Sequence, residues 1–206
     1  TGWIKVHYKA EFFCANMTVE MDNTDKLKVL FEDAQKMGIT FELPDINRSN
    51  YRFEPVSDTV IRYGLGAIKG TGEKAINAII TARTEGGAFT SLFDFCNRVE
   101  RNCLNKRTVE ALIKAGAFDS LELNRAALLA SIELAFEYAS TQAANANQGG
   151  LFDMLDDGHG SSTQEPDLVQ TTPWSLKERL VQEKTAVGFF LSGHLFDEHA
   201  KEIRAF

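Results

Sequence analysis

A G-x-G sequence in the middle of this chain could hold a phosphate group. It lies in GLGAIKGTGEKAINAIITAR, residues 64–83, immediately before a stretch with helical spacing of apolar residues. Glycine lets a ligand approach the backbone closely, and the free amides at the positive end of a helix attract anions. A lysine on each side adds positive charge. The candidate phosphate ligands are therefore Lys69, Gly70, Thr71, Gly72 and Lys74.

This G-x-G does not fit two common nucleotide-binding motifs. A dinucleotide fold needs G-x-G-x-x-G after a buried strand, whereas Ala-Ile-Lys precedes the glycines here. A P-loop needs G-K-S or G-K-T at a fixed spacing, which is absent. Two interpretations stay open: a helix-hairpin-helix that docks duplex DNA by its backbone, or a helix that is merely well capped.

A second apolar-turn-helix unit follows in RNCLNKRTVEALIKAGAF, residues 101–118. It lacks the G-x-G, so it is the weaker of the two units. Asn105 is its candidate N-cap, and basic residues cluster at the turn. Two such units could contact both DNA backbones across a groove. The candidate DNA ligands of this unit are Arg101, Asn105, Lys106 and Arg107.

The net charge of −7 over 206 residues conceals an uneven distribution. Residues 51–118 carry 10 basic and 7 acidic side chains, and residues 119–206 carry 6 and 14. The segment that contains both turns is therefore net +3, while the tail is net −8. Blocks of opposite sign favour different partners, so the overall acidity does not exclude nucleic acid.

A short apolar cluster lies within the polar stretch NANQGGLFDMLDD, residues 145–157. An exposed Leu-Phe pair in a linker is a liability unless a partner or its own domain buries it. Both possibilities stay open from composition. If a partner buries it, we expect an exchangeable contact of roughly micromolar affinity, because ordering a flexible peptide offsets much of the gain. The candidate partner-binding residues are Gln148, Leu151 and Phe152.

The elements that must position these residues are mainly α-helical. Helical spacing and capping signals predict helices over 3–16, about 24–37, 73–84, 91–99, 106–115, 124–143 and from about 174 and 197. Ser91 with Asp94 forms a capping pair, while Gly38 and Gly116 end helices. Turn residues between about 41 and 65 predict irregular chain with a small hairpin. Residues 143–172 have the composition of a flexible acidic linker.

Several stretches together resemble the alpha subunits of bacterial DNA polymerase III, the C-family replicative polymerases. The stretches are HYKAEFFCANMTVEMDNTDK, MGITFELPDINRSNYRF, IRYGLGAIKGTGEKAINAII, LIKAGAFDSL, QGGLFDML and GFFLSGH. The resemblance implies five segments. Residues 1–50 would be the end of a helical fingers domain, and residues 51–118 a tandem helix-hairpin-helix domain that holds duplex DNA. A long helix over 119–142 would lead to a linker with a sliding-clamp-binding motif over 143–172, and residues 173–206 would form short C-terminal helices leading toward an oligonucleotide-binding domain that is absent here.

The same resemblance implies function and partners. The partners would be duplex DNA, the sliding clamp (the beta subunit) through Gln148, Leu151 and Phe152, and other subunits of the replicative holoenzyme. DNA-directed DNA synthesis requires two metal ions held by carboxylates. The family holds Mg²⁺ with aspartates in its palm, upstream of this chain, and no D-x-D occurs here. We therefore expect no catalytic residue, cofactor or metal site in these 206 residues.

Two alternatives remain beside this interpretation. In a helix-hairpin-helix DNA glycosylase, a catalytic aspartate follows the hairpin by about twenty residues, and Asp94 follows Gly72 by 22. A non-enzymatic adaptor without DNA contact would use only the acidic tail. Three cysteines without a C-x-x-C pair predict reduced, mostly buried thiols. The four histidines lack metal-ligand spacing. The absence of a long apolar run or a signal peptide predicts a cytoplasmic protein without a membrane segment.

Overall fold

The computed structural model describes residues 2–152 and 164–193, with side chains described up to Ala146 and again from Gln164. The described residues are mainly helical, as predicted, and include one small sheet. None of their helices is long and apolar enough to cross a membrane. The helices are α1 Gly2–His7, α2 Lys9–Val19, α3 Thr24–Lys36, α4 Glu73–Gly86, α5 Leu92–Arg98, α6 Lys106–Ala115, α7 Arg125–Ala130, α8 Ile132–Phe152 and α9 Leu176–Val187.

Local capping explains where several of these helices begin and end. The side chains of Ser91 and Asn105 accept hydrogen bonds from the backbone amides three residues on, so both predicted N-caps are confirmed. Helices α3 and α6 are followed by glycines in the left-handed region, Gly38 at φ 84° and Gly116 at φ 87°. Asn23 supplies the cap of α3, where its side chain accepts from the amide of Lys26.

Three short strands separate α3 from α4. They are β1 Thr40–Glu42, β2 Glu54–Ser57 and β3 Val60–Arg62, in the order β1-β3-β2. Strands β2 and β3 form the predicted hairpin, with an irregularity between Pro55 and Ser57. Strand β1 adds to the other edge of β3 in parallel, with Thr40 opposite Val60. The loop between β1 and β2 is tied to α4 by Arg83, which donates to the carbonyls of Ile46 and Ser49 at 2.9 Å.

Three predicted boundaries are wrong. The helix predicted over 3–16 is interrupted at Tyr8, which leaves helical geometry at φ −134° and ψ 62°. The helix predicted from 124 to 143 is interrupted at Ser131, whose hydroxyl donates to the carbonyl of Ala127 at 2.7 Å and accepts from the amide of Val169. Such side-chain bonds compete with the regular helix pattern.

The third error is the predicted helix end at about 143. Helix α8 continues to Phe152, ten residues into the 143–172 segment. The alanines and glutamines among residues 142–148 have high helix propensity, which extends the helix despite two glycines near its end. Residues 164–175 have no regular structure, in agreement with the composition of that segment. The helix predicted from about 197 lies outside the described residues.

Most of the buried apolar side chains among the described residues form one cluster that extends from α2 to Leu191. Phe31 of α3 and Phe189, which follows α9, pack with tilted rings whose centroids lie 4.9 Å apart. Phe95 of α5 packs on Phe118 at 5.0 Å. Each large apolar side chain buried in this way contributes roughly 1.5–3 kcal/mol. The segments on both sides of the two turns therefore share a core and fix the turns from behind.

The cysteines are free thiols, as predicted. Cys14 and Cys96 are buried, and desolvation raises the pKa of each to about 12. Cys103 is partly exposed and lies in the turn before α6.

Candidate nucleic-acid interface

The first turn joins a single 3₁₀ turn, Leu65–Ala67, to helix α4. Gly70 adopts φ +83°, a conformation that side chains with a Cβ rarely take. Gly72 is the N-cap of α4 and has no side chain to satisfy the first amides of the helix. A Cβ on either glycine would meet nothing within 4 Å, so the space in front of the turn is open. A phosphate could reach the free amides of α4 from this side.

Thr71 shapes this turn from within. Its hydroxyl lies 2.7 Å from the carbonyl oxygen of Ile68 and 2.9 Å from that of Leu65. Its amide donates to the Ile68 carbonyl at 3.3 Å. The hydroxyl proton is therefore engaged inside the turn. Lys69 and Lys74, by contrast, are exposed on either side of the glycines.

The second turn connects α5 to α6 through residues 99–105. The side chain of Asn105 accepts from the amide of Thr108 at 2.9 Å, so its oxygen satisfies the helix start. Lys106 is exposed and pairs with Glu133 at 2.8 Å. Arg101 and Arg107 are exposed, and neither forms an ion pair with another residue of the described part of the chain. A phosphate would therefore find two free guanidinium groups and one paired lysine at this turn.

The two turns are in contact with each other. The hydroxyl of Thr108, in the first turn of α6, lies 3.4 Å from the carbonyl oxygen of Gly70. Thr108 is buried, which makes it a link between the turns. Lys74 lies beside Cys103, whose pKa is raised by desolvation and by the hydrogen bond to Glu100, and Lys74 opposes that rise. The structure thus brings the G-x-G turn and the Asn105 turn together.

Internal ion pairs use several of the basic residues that gave this region its positive charge. Arg62 pairs with Glu42 at 2.9 Å, and Arg98 pairs with Asp94 at 2.9 Å. Lys114 pairs with Glu110 at 2.6 Å. The exposed acids Glu73 and Glu100 also lie among the cations of the two turns. The net +3 of residues 51–118 therefore matters less than the exposed cations at the turns, which are Lys69, Lys74, Arg101, Lys106 and Arg107.

Asp94, the candidate of the glycosylase alternative, has a structural role. Its carboxylate accepts from the amide of Thr90 at 3.0 Å and from Arg98 at 2.9 Å. Its own amide donates to the Ser91 hydroxyl at 2.9 Å. All three contacts stabilise the start of α5. This is the geometry of a helix cap with an added ion pair.

Replacing Asp94 with asparagine is therefore expected to lower the thermal unfolding midpoint slightly and to change no chemistry on DNA. The loss of the partly buried ion pair with Arg98 should cost about 1 kcal/mol or less. Differential scanning fluorimetry measures the first effect, with Ser91→Ala, which should cost about 1 kcal/mol, as the matched cap variant. Base release from damaged duplex measures the second. If the unmodified chain released bases from damaged duplex and Asp94→Asn abolished that release, the result would support the glycosylase alternative instead.

The predicted partner-binding residues are only partly described. Helix α8 includes Gln148, Leu151 and Phe152, but their side chains lie outside the described residues. Within the described ranges, no group of three or more His, Cys, Asp or Glu side chains is arranged to hold a metal ion.

Sequence reasoning missed the contacts that join distant parts of this region. It did not identify Thr108, because its contact with Gly70 joins residues 38 positions apart in the chain. It also missed the hydrogen bond from the amide of Lys69 to the carbonyl of Ala186, at 2.8 Å. The two residues are far apart in the chain, and no local pattern indicates their contact.

The segment that contains both turns matches a known motif family. The helix-hairpin-helix motif family matches residues 38–128, a range that includes the whole predicted tandem segment. This match supports the helix-hairpin-helix interpretation of the G-x-G turn.

Relatives cover nearly the whole chain. It is 54% identical over 204 residues to the DNA polymerase III subunit alpha of Neisseria meningitidis serogroup B. The aligned residues make up 99% of this chain and 18% of that protein. It is 44% identical over 205 residues to the subunit of Vibrio cholerae (98% and 18%), and 42% identical over 211 residues to that of Escherichia coli K12 (100% and 18%). The chain is homologous to a segment of DNA polymerase III subunit alpha, and it spans about a fifth of the length of these curated relatives.

Proposed function

We propose that this chain holds duplex DNA by its sugar-phosphate backbone through the two adjacent turns. The observation that carries this proposal is the contact between the turns at Gly70 and Thr108, 3.4 Å, with exposed cations on both sides. A single capped helix start would need no such partner. Two adjacent turns can place two sets of amides and cations on one surface. That surface suits the regular spacing of phosphates along a duplex.

The chemistry of such a grip does not depend on base sequence. Phosphate oxygens would accept hydrogen bonds from the free amides of α4, where the helix dipole favours negative charge. Lys69 and Lys74 would pair with the same strand, and Arg101 and Arg107 with a neighbouring phosphate. Contacts of this kind position a protein without reading bases. Each neutralised phosphate also releases counterions, so binding weakens as salt rises.

Removing Lys69 and Lys74 together should weaken duplex binding and flatten its salt dependence. Each lost phosphate contact reduces the slope of log K against log salt by roughly 0.9, so we expect a change of about two units. At 0.1 M salt the affinity should fall roughly tenfold per contact. Fluorescence anisotropy of a labelled duplex at several salt concentrations measures both quantities for Lys69→Ala/Lys74→Ala.

A matched variant controls for net charge in this experiment. Lys36→Ala/Lys177→Ala also removes two exposed lysines, but from the end of α3 and the start of α9. It should change the slope much less. If the unmodified chain does not bind duplex at low salt, the DNA proposal is refuted. If both double variants have equal salt slopes, the lysines of the first turn do not contact phosphates.

A second function, tethering to a sliding clamp, is proposed for Gln148, Leu151 and Phe152. The support is the Q-x-x-L-F sequence and its position in a stretch that is 54% identical overall to a polymerase subunit. The two apolar side chains would fill a hydrophobic pocket on the clamp, and the glutamine would add a polar contact. The expected affinity is micromolar, which suits a contact that forms and breaks while DNA holds the protein nearby.

The longer protein to which this segment corresponds would carry out DNA-directed DNA synthesis in the cytoplasm as part of a replicative holoenzyme. Its Mg²⁺ ions would bind in the palm, outside this chain. The residues here would contribute DNA retention and clamp attachment, and the chain alone would be catalytically inert. The sequence motivates this expectation, because it has no D-x-D pair of aspartates.

A further inference from the structure

Helix α9 and the residues after it, 176–193, contact both DNA-binding turns. The carbonyl of Ala186, near the end of α9, accepts from the amide of Lys69 in the first turn at 2.8 Å. Helix α9 also packs along α6, the helix of the second turn. A Cβ on Gly188 would come within 3.0 Å of the Lys69 ammonium nitrogen. One segment thus contacts the backbone of the first turn and the helix of the second.

A buried carboxylate holds the end of this segment in place. Glu183 of α9 is fully buried. One of its oxygens accepts from the amides of Leu191 and Ser192 at 2.7 and 2.8 Å, and the other accepts from the Ser192 hydroxyl at 2.7 Å. These bonds fold residues 188–192 back onto α9. Because Ala186 and Gly188 lie between the bonded positions, the same fold fixes the part that contacts Lys69.

The negative charge of Glu183 is matched by Arg125, the first residue of α7. The guanidinium lies 3.7 Å from the Glu183 carboxylate and is itself almost fully buried. It also forms two bonds to Asp119, at 2.6 and 2.7 Å, and one to the carbonyl of Lys114 at the end of α6. Arg125 therefore joins α9 to the far end of the second helix-hairpin-helix unit.

We propose that residues 176–193 act as a strap that keeps the first DNA-binding turn aligned with the second, and that Glu183 is its positioning residue. This rests on the proposed DNA-binding function. Glu183 touches no DNA in this scheme. It holds α9 and residues 188–192 in the geometry from which Ala186 restrains Lys69. Without it, the first turn would keep the contact of Gly70 with Thr108 but would lose the restraint at Lys69, which would weaken its phosphate contacts.

The test compares Glu183→Gln with Glu178→Gln. Both variants remove one negative charge from α9, so the change in net charge is the same. Glu178 lies in the exposed capping box at the start of the helix, away from Ala186. We expect Glu183→Gln to flatten the salt slope of duplex binding by about two units, as the loss of Lys69 and Lys74 would. Glu178→Gln should keep the original slope.

Hydrogen exchange separates alignment from overall stability and needs no DNA. In Glu183→Gln the Lys69 amide should exchange at least tenfold faster relative to the amide of Ile113, a fully buried residue of α6. Equal acceleration at both amides, or an unchanged salt slope, would overturn the strap. If Glu183→Gln does not fold, Ser192→Ala removes one bond to Glu183 and takes its place, with the same criteria. If the unmodified chain binds no duplex, the DNA proposal fails, while the exchange ratio still decides the strap.

Discussion

Replacing Arg125 with alanine is expected to lower the free energy of unfolding by about 3–5 kcal/mol, the usual cost of removing one partner of a buried ion pair. The substitution leaves Glu183 buried without its countercharge and removes both bonds to Asp119. It also leaves the carbonyl of Lys114 without its side-chain donor. Chemical denaturation followed by circular dichroism would measure the change.

Two variants define the scale of that effect. Arg125→Lys keeps a charge but cannot bond Asp119 through two nitrogens, so it should fall between the alanine variant and the unmodified chain. Lys106→Ala breaks the exposed pair with Glu133 and should leave the unfolding midpoint nearly unchanged. A loss below about 1 kcal/mol for Arg125→Ala would show that solvent or a rearranged side chain replaces the guanidinium without difficulty.

Replacing Leu151 and Phe152 together with alanine is expected to abolish measurable binding to a purified sliding clamp. Each side chain would contribute roughly 1.5–3 kcal/mol on burial in the partner. Losing both would raise a micromolar dissociation constant by at least about a hundredfold, since every 1.4 kcal/mol is a factor of ten. Surface plasmon resonance with immobilised clamp measures this change directly.

The neighbouring apolar residues provide the control. Met154→Ala/Leu155→Ala removes a comparable apolar area two residues further on, outside the Q-x-x-L-F sequence. It should weaken clamp binding much less. If the Leu151→Ala/Phe152→Ala variant kept its affinity but lost thermal stability, the motif would pack on its own domain, which is the alternative that its composition allows.

Local chemistry made much of the fold predictable. The caps at Ser91 and Asn105 and the left-handed Gly116 follow from interactions within a few residues, and sequence reasoning identified all three. The break at Ser131 was missed because the hydroxyl also accepts from Val169, 38 residues away. Bonds between distant segments leave no periodic trace in a single sequence.

In the candidate interface, too, local features could be predicted from the sequence and tertiary contacts could not. The G-x-G turn and its lysines could be identified from their types and spacing. Net charge was a poorer guide, because Arg62, Arg83 and Arg98 look the same in a charge count as Arg101 and Arg107. These arginines differ only in the folded chain, where Arg62, Arg83 and Arg98 bond to carboxylates or carbonyls. Which cations face solvent is decided by tertiary contacts.

The bond between Val169 and Ser131 has a mechanical consequence. Helix α8 begins at Ile132, and Val169 is fixed beside that start. Thr171 is fixed at the start of α7, where its carbonyl accepts from the side chain of Asn124 at 2.8 Å. The Q-x-x-L-F sequence therefore belongs to a stretch attached to the core at both ends. A pull on a bound partner would be shared between two attachment points. A single proteolytic cut after Phe152 would leave both halves connected to the protein.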